Sequence, residues 1–313
     1  MYEAKALAMY YCITPVHMGA GTGLGVVDSP IQRESHTSYP VFPGSGIKGA
    51  LRSYLSPIDD RMIDAAFGAE SAGEGAGALS FTDATLVAYP VRSLVKAFIY
   101  LCSPVSLARF SRQLDLVGEK HKWKLPNVEP GNALVATASP LLDQGSDSVV
   151  SAESFTFRAK VSEELEKVAK VLSSYLFGSS DSDNGLKFFS EKIQSDLVMV
   201  SDADFEYFIT STTSVEAHVK INDDTGTAAD GALFYIENLP PESILSGTVF
   251  ASRERRKGSQ HDANKMLSWI RENVSRHTVQ FGGNATTGRG LVNVSIQSSL
   301  DGQGTGSLEG GMR

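Results

Sequence analysis

The chain is short of cysteine, of long apolar runs and of positive charge, and each shortage closes off a class of protein. Cys12 and Cys102 stand alone in 313 residues. They form neither a disulfide framework nor a CxxC metal pair, and read as small buried hydrophobes. No apolar stretch reaches the roughly 18 residues that a membrane helix needs, and no charged-then-apolar leader opens the sequence. The expectation is a soluble, cytoplasmic protein with no membrane partner. The formal net charge is −8 and the isoelectric point is near 5.3. That balance argues against polyanion binding by the whole surface. It leaves room for one basic face, because only the local field meets a phosphate.

Motif spacings exclude more. GxGxxG fails, because from Gly19 the third glycine would fall on Leu24 and from Gly21 on Val26. No GxxxxGK[ST], HExxH, GxSxG or EF-hand pattern occurs. Dinucleotide, P-loop, zinc-protease, serine-hydrolase and calcium-loop readings therefore lack support.

What is present gathers between positions 14 and 52. Gly19, Gly21, Gly23 and Gly25 alternate between His17 and Asp28. The turn Pro43-Gly44-Ser45-Gly46 then leads into a helix predicted over 46–55, with Ser45 as its N-cap and Ile47, Leu51, Tyr54 and Leu55 on one apolar face. Lys48 and Arg52, four apart, share another face. Backbone amides, cations and one carboxylate so placed suit a polyanion. A second glycine-rich loop, 282–290, holds Arg289 between Gly288 and Gly290.

Each feature also has a plainer role. Glycine loops are commonly tight connections, Asp28 before Ser29-Pro30 suits an Asx turn, and His17 suits packing. RNA cleavage needs a 2′-hydroxyl deprotonated and phosphorane charge stabilised, which an aspartate, a histidine and a nearby metal or cation can supply. On the residues alone both readings stand. Two further basic clusters, Arg253-x-Arg255-Arg256-Lys257 and Lys120 to Lys124 around His121 and Trp123, read either as nucleic-acid contacts or as ordinary loops. The acidic runs 181–183, 202–206 and 223–224 read as solvated faces.

Periodicity places strands at 5–13, 78–88, 97–102, 133–138, 154–159, 196–200, 207–210, 248–252, 277–281 and 291–296, and helices at 46–55, 60–67, 104–116, 161–177 and 262–273. Residues 215–221 and 233–236 form a hairpin with a polar tip. Stretches 71–77 and 178–185 read as flexible breaks, and 299–313 as a disordered glycine-rich tail. The order lacks a regular βα repeat. It predicts an α+β fold with helices on one face of a mainly antiparallel sheet.

The runs His17-x-Gly-x-Gly-x-Gly, Val27-Asp28-x-Pro30-Ile31-Gln32-Arg33-Glu34, His36-Thr37, Pro43-Gly44-Ser45-x-Ile47-Lys48-Gly49 and Leu51-Arg52 resemble the RAMP-superfamily backbone subunit of type III-B (Cmr) CRISPR effector complexes. Gly231-Ala232-Leu233-Phe234-Tyr235-x-Glu237-x-Leu239-Pro240-Pro241-Glu242, the 253–257 cluster and Thr286-Thr287-Gly288-Arg289-Gly290-Leu291 agree. The resemblance covers the chain apart from the tail, and nothing is carried over to 119–211.

It implies one RAMP domain over 1–298: a ferredoxin-like (RRM-like) palm with an inserted fingers region and a β-hairpin thumb at about 215–231. It implies copies stacked as a helical filament on a CRISPR guide RNA, with the thumb flipping out a nucleotide of the guide–target duplex at regular intervals. Target RNA is cut beside that site by a metal-dependent endoribonuclease, for antiviral defence. Carried over by position, Asp28 is the catalytic residue and the ligand of a divalent metal, Mg²⁺ or Mn²⁺, with His17 and Glu237 assisting. Ser45, Gly46, Lys48 and Arg52 hold the guide, beside Gly288, Arg289 and Gly290, with Arg255 and Arg256 as further RNA contacts. The implied partners are guide RNA, target RNA, copies of the same chain and other Cmr-type subunits: large polymerase-like, small helical, handle-binding and capping. The alternative is a non-catalytic RNA-binding scaffold of the same complexes.

Overall fold

Strand β1 (Ala4–Cys12) is apolar on both sides, and the fold follows from covering both. The computed structural model describes residues 2–298, apart from positions 24, 59, 70–75, 122, 138, 143–147, 179–184, 223 and 256–260. Because side chains alternate along a strand, Ala6, Ala8, Tyr10 and Cys12 enter one hydrophobic cluster while Leu7, Met9 and Tyr11 enter another.

The chain continues through β2 (Val41–Phe42), α1 (Gly44–Leu55), α2 (Asp60–Phe67), β3 (Leu79–Phe81), β4 (Ala84–Arg92), β5 (Phe98–Cys102) and α3 (Pro104–Val117). Next come β6 (Asn132–Val135), β7 (Val149–Ala152), β8 (Phe155–Val161), α4 (Glu163–Phe177), α5 (Gly185–Asp196), β9 (Leu197–Val200) and α6 (Asp202–Ser211). The last elements are β10 (Ser214–Ile221), β11 (Ala228–Asn238), β12 (Ile244–Ala251), α7 (Ala263–Val274), β13 (His277–Gln280) and β14 (Leu291–Gln297).

Twelve strands form one sheet in the order β13-β14-β1-β12-β4-β5-β9-β6-β8-β7, with β2 paired to β4 and β3 to β12. Only β5–β9 and β6–β8 run parallel among the described pairings, so the sheet is mainly antiparallel as expected. Helices cover both faces, not one. Ile47, Leu51, Ile63, Met266 and Ile270 of α1, α2 and α7 pack on one side. Leu107, Phe110, Leu165 and Leu172 of α3 and α4 pack on the other. The expectation of one helical face fails because the central strands leave no polar side for water.

Several boundaries move, each for a local reason. The strand predicted at 207–210 is the last part of α6. Ser201 caps that helix by accepting from Asp204 N, Asp202 and Asp204 sit at its positive end, and Phe205, Phe208 and Ile209 are its buried stripe. Val161 ends β8 instead of opening a helix, and α4 starts after Ser162, whose side chain accepts from Leu165 N. On its surface Lys167 pairs with Glu164 at 2.6 Å and Lys170 with Glu166 at 2.7 Å. In α1 the N-cap is Pro43 without a side-chain hydrogen bond, so Ser45 lies inside the first turn. Ile47, Leu51 and Leu55 are buried there, whereas Tyr54 is exposed. The strand predicted over 78–88 is split into β3 and β4, and β7 and α5 were not anticipated.

The hairpin stands apart as its own two-stranded sheet and is longer than predicted. Its register sets Val215 opposite Glu237, Ala217 opposite Tyr235 and Val219 opposite Leu233. Cys12 and Cys102 are buried and free, and burial pushes both thiols well above their ordinary range. Among the described residues no helix is long and apolar enough to cross a membrane. The breaks at 71–75 and 179–184 and the tail 299–313 lie outside the described residues.

Candidate active site

The segment leaving β1 is zipped onto the free edge of β11, at the root of the hairpin. Val16 and Leu239 exchange backbone hydrogen bonds of 2.9 Å each, Ser29 N donates to Tyr235 O at 3.0 Å, and Glu237 N donates to Ser29 O at 3.0 Å. Two side chains dock on this frame. His17 Nδ1 lies 2.7 Å from Glu237 O, and Tyr235 N donates to Asp28 Oδ2 at 2.7 Å. A carbonyl only accepts, so His17 Nδ1 carries a proton and Nε2 is the nitrogen left to serve as an acceptor in the neutral tautomer. The two attachment points are two residues apart on one strand, about 7 Å. The loop thus brings His17 and Asp28 together. The Asx-turn role of Asp28 is not what forms: its carboxylate reaches the hairpin, and it is exposed with Oδ1 unbonded among the described residues.

Glu237 is placed differently. It is 7% exposed, and both oxygens are taken. Oε1 accepts from Arg33 Nη2 at 2.6 Å and Thr213 Oγ1 at 2.8 Å, and Oε2 from Ile31 N at 3.0 Å. Burial alone would raise its pKa. The guanidinium, the Ile31 amide and the Thr213 hydroxyl outweigh that, and the carboxyl is held below its ordinary value. Buried, with both oxygens engaged, this carboxylate positions its neighbours. Arg33 also donates to Ser38 O at 2.7 Å and Ile209 O at 3.1 Å. Thr213 lies outside every motif, and Arg33 and Tyr235 stood within the family runs without an assigned role.

The two glycine-rich loops meet here. Gly283 N donates to His17 O at 2.9 Å, and Gly290 N to Pro15 O at 2.8 Å. At Gly282, with φ +70°, a Cβ would stand 2.2 Å from His17 O. These amides serve each other instead of forming an open cradle. Gly288 ends the short turn Ala285–Thr287, and Arg289 pairs with Glu216 of β10 at 2.6 Å.

Beside the loops runs a groove of about 420 Å³, lined by Met18, Gly46, Gly49, Ser53, Tyr54 and Gln280 among others. Its wall is the start of α1, which has no side-chain cap and no acidic residue in the first turn. Asp83 takes the Gly44 amide at 2.7 Å. Ser45 and Gly46 follow with amides at the positive end of the helix. Lys48 is half-buried with no ion pair among the described residues. Arg52, expected to act with Lys48, instead ties α1 to α2 through Gly68 O and, at 3.4 Å, Asp64.

Other expected contacts are not brought here. Arg255 follows the end of β12 that pairs Ala251 with Ala4, whereas the site lies beyond Cys12, roughly 27 Å along β1. Arg256 and Lys257 lie outside the described residues. Trp123 is packed in a stack between Phe110 (6.4 Å) and His121 (4.1 Å), a core role.

Among the described residues no group of three or more His, Cys, Asp or Glu could hold a metal ion. Asp28 offers one uncommitted oxygen. Mg²⁺ commonly takes one or two carboxylates and completes its shell with water and phosphate oxygens. Asp28 fits an ion that shares a phosphate, not a cage built by the protein alone.

Glu242, whose amide donates to Cys12 O at 2.6 Å, closes the other side of the hairpin root. Its Oε2 is buried without a partner, and burial pushes its pKa up from 4.5 to about 7. Between those values the unfolded chain has lost this proton and the folded chain keeps it. Stability from this group is therefore full below the unfolded value and falls as pH rises to about 7. In thermal melts across this range, Glu242→Gln should gain on the wild type toward neutral pH and lose that advantage toward the acid end. Parallel melting curves at every pH would contradict it.

The RAMP superfamily model matches residues 10–293. The CRISPR system Cmr endoribonuclease Cmr4 of Pyrococcus furiosus is 33% identical over 303 residues, covering 94% of this chain and 96% of that protein. The crystal structure of oligomeric Cmr4 from Pyrococcus furiosus superposes with a TM-score of 0.71 at 26% identity, over 94% of this chain and 97% of the other. A chain of the type III-B Cmr-beta complex bound to cognate target RNA, 19% identical, shares the fold with a TM-score of 0.70, over 94% and 98%.

Proposed function

The chain belongs to the RAMP superfamily, and from that premise we propose that it is a guide-RNA-binding backbone subunit of a type III-B CRISPR effector complex that cleaves complementary target RNA. The observation that carries the reading is the docking of His17 and Asp28 on one strand edge at the hairpin root, next to the groove walled by α1. In this reading the twelve-stranded sheet with its helices is a ferredoxin-like palm, β10 and β11 are the thumb, and residues 1–298 form one domain. Copies of the chain follow one another along the guide, with other Cmr-type subunits as further partners.

Asp28 faces the ribose 2′-hydroxyl with its uncommitted oxygen. His17, anchored by Nδ1, presents Nε2 to the same ribose. Between them they remove the proton and hold the oxygen in line with the phosphate; the 2′-oxygen bonds to phosphorus as the P–O5′ bond breaks, and the leaving 5′-oxygen takes a proton from solvent. Glu237 acts from behind as a positioning residue. A Mg²⁺ or Mn²⁺ ion would have Asp28 as its one protein ligand and supply positive charge at the phosphate. Lys48, Ser45 and Gly46 hold guide phosphates at the start of α1, with the loop of Gly288, Arg289 and Gly290 as a further contact.

The test is to assemble the full chain with guide RNA and the neighbouring subunits, then add complementary RNA and divalent ion. Cuts at a fixed spacing are expected; tight target binding without cuts would leave only the scaffold role. Lys48→Ala should weaken guide binding and flatten its log–log salt dependence by about 0.7, read by filter binding over a salt series. An unchanged slope would count against a phosphate contact. Arg52→Ala should instead lower thermal stability, because its guanidinium holds α2.

A further inference from the structure

We propose that Arg33 is a positioning residue for the cleavage reaction, fixing the place of Asp28 by holding Glu237 at the hairpin root. The inference rests on the function proposed above. The Arg33 guanidinium serves three acceptors from three parts of the chain: Ser38 O at 2.7 Å in its own turn, Ile209 O at 3.1 Å in the last turn of α6, and Glu237 Oε1 at 2.6 Å on β11. A planar fork reaches them from two separate nitrogens, Nη1 to the two carbonyls and Nη2 to the carboxylate; an ammonium has its three donors on one atom and cannot span that separation. The Ile209 carbonyl also lies at the negative end of its helix, which favours a cation.

Glu237 passes the constraint on. Its other oxygen takes Ile31 N at 3.0 Å, three residues from Asp28, and Asp28 is itself pinned to Tyr235, two residues from Glu237. Within its own loop Asp28 has one backbone contact, Gly23 N to Asp28 O at 2.8 Å. The position of Asp28 is therefore set from the hairpin side. No hydrogen bond or ion pair joins Arg33 to His17 or Asp28 among the described contacts, so an effect of Arg33 on cleavage is indirect, and Glu237 is the side chain that links its guanidinium to the Ile31 amide. Without Arg33 a buried carboxylate would lose its cation. It would then take up a proton or turn outward and release Ile31. A displacement of about 1 Å at a reacting group can cost on the order of 10²-fold in rate.

The experiment measures single-turnover cleavage and target affinity side by side in the assembled complex. The variants are Arg33→Ala, Arg33→Lys, Arg33→Ala with Glu237→Gln, and Asp28→Asn. Arg33→Ala should cleave on the order of 10²-fold more slowly with unchanged target affinity. Arg33→Lys should fall between it and the wild type. The double variant should be no slower than Arg33→Ala, because the two residues act as one unit. A wild-type rate for Arg33→Ala, a loss confined to target affinity, or multiplying losses in the double variant would overturn the proposal. If Arg33→Ala does not assemble, Arg33→Lys decides: slow cleavage with intact affinity supports it, and a wild-type rate overturns it. If Asp28→Asn cleaves normally, the functional reading itself fails. If Asp28→Asn is inactive while both Arg33 variants cleave normally, only this inference fails.

Discussion

Asp28→Asn should abolish target cleavage, by on the order of 10³-fold or more, and leave guide and target binding as they are. The substitution is well suited because the carboxylate has two separate tasks. Oδ2 accepts from Tyr235 N at 2.7 Å, and an asparagine carbonyl can take over that bond. The other atom becomes an NH₂ group, which cannot accept a proton or ligate an ion. The loop should therefore keep its place on β11 while the chemistry is lost. Binding should survive because no base-edge or phosphate contact is asked of this side chain. A variant that cuts at the wild-type rate would exclude Asp28 from the reaction. A variant that loses binding as well would point to a collapsed loop, visible as a lower melting temperature.

Gly282→Ala should be strongly damaging for so small a substitution. The residue has φ +70°, which costs an L-residue about 1–2 kcal/mol. Its Cβ would also stand 2.2 Å from His17 O, a backbone atom with no rotamer by which to escape. Pushing the two loops apart adds about 1–3 kcal/mol, the usual scale of overpacking. The sum predicts a fall in melting temperature on the order of 5 °C for a chain of this size, and a loss of cleavage because His17 rides on the displaced carbonyl. Gly288 supplies the control: its φ is +76°, with nothing within 4 Å of a Cβ. Gly288→Ala should show the backbone strain alone, about 1–2 kcal/mol. Equal melting shifts for the two variants would mean that the loop contact is loose.

Much of this was legible where local signals agree. Helix α2 falls at the predicted 60–67, and the hairpin is announced by alternation on either side of a polar tip. Residues 207–210 misled because a four-residue aromatic and β-branched window looks like a strand; the deciding signal, Ser201 with Asp202 and Asp204, lies just upstream. At the site, the glycines, His17, Asp28 and Glu237 were visible as residue types, but not what each is attached to. The buried state of Glu237 depends on Arg33, 204 positions away. Lys48 and Arg52 are equivalent in a helical projection, yet only Arg52 is tied to α2, while Lys48 makes no ion pair among the described residues.

The helical cover on both faces of the sheet has a consequence for recognition. Sheets that read single strands in the open manner lay bases on exposed aromatic side chains. Here the rings of Tyr10, Phe42 and Phe281 face inward beneath helices, in mutual contact at 5.7–6.2 Å. No base can lie there. RNA would meet only a rim, the loops and hairpin root at one end of the strands. Such a rim is narrow, so the length of nucleic acid covered would grow by adding subunits, each contributing a fixed step, and the broad sheet would serve as ballast that keeps every step the same.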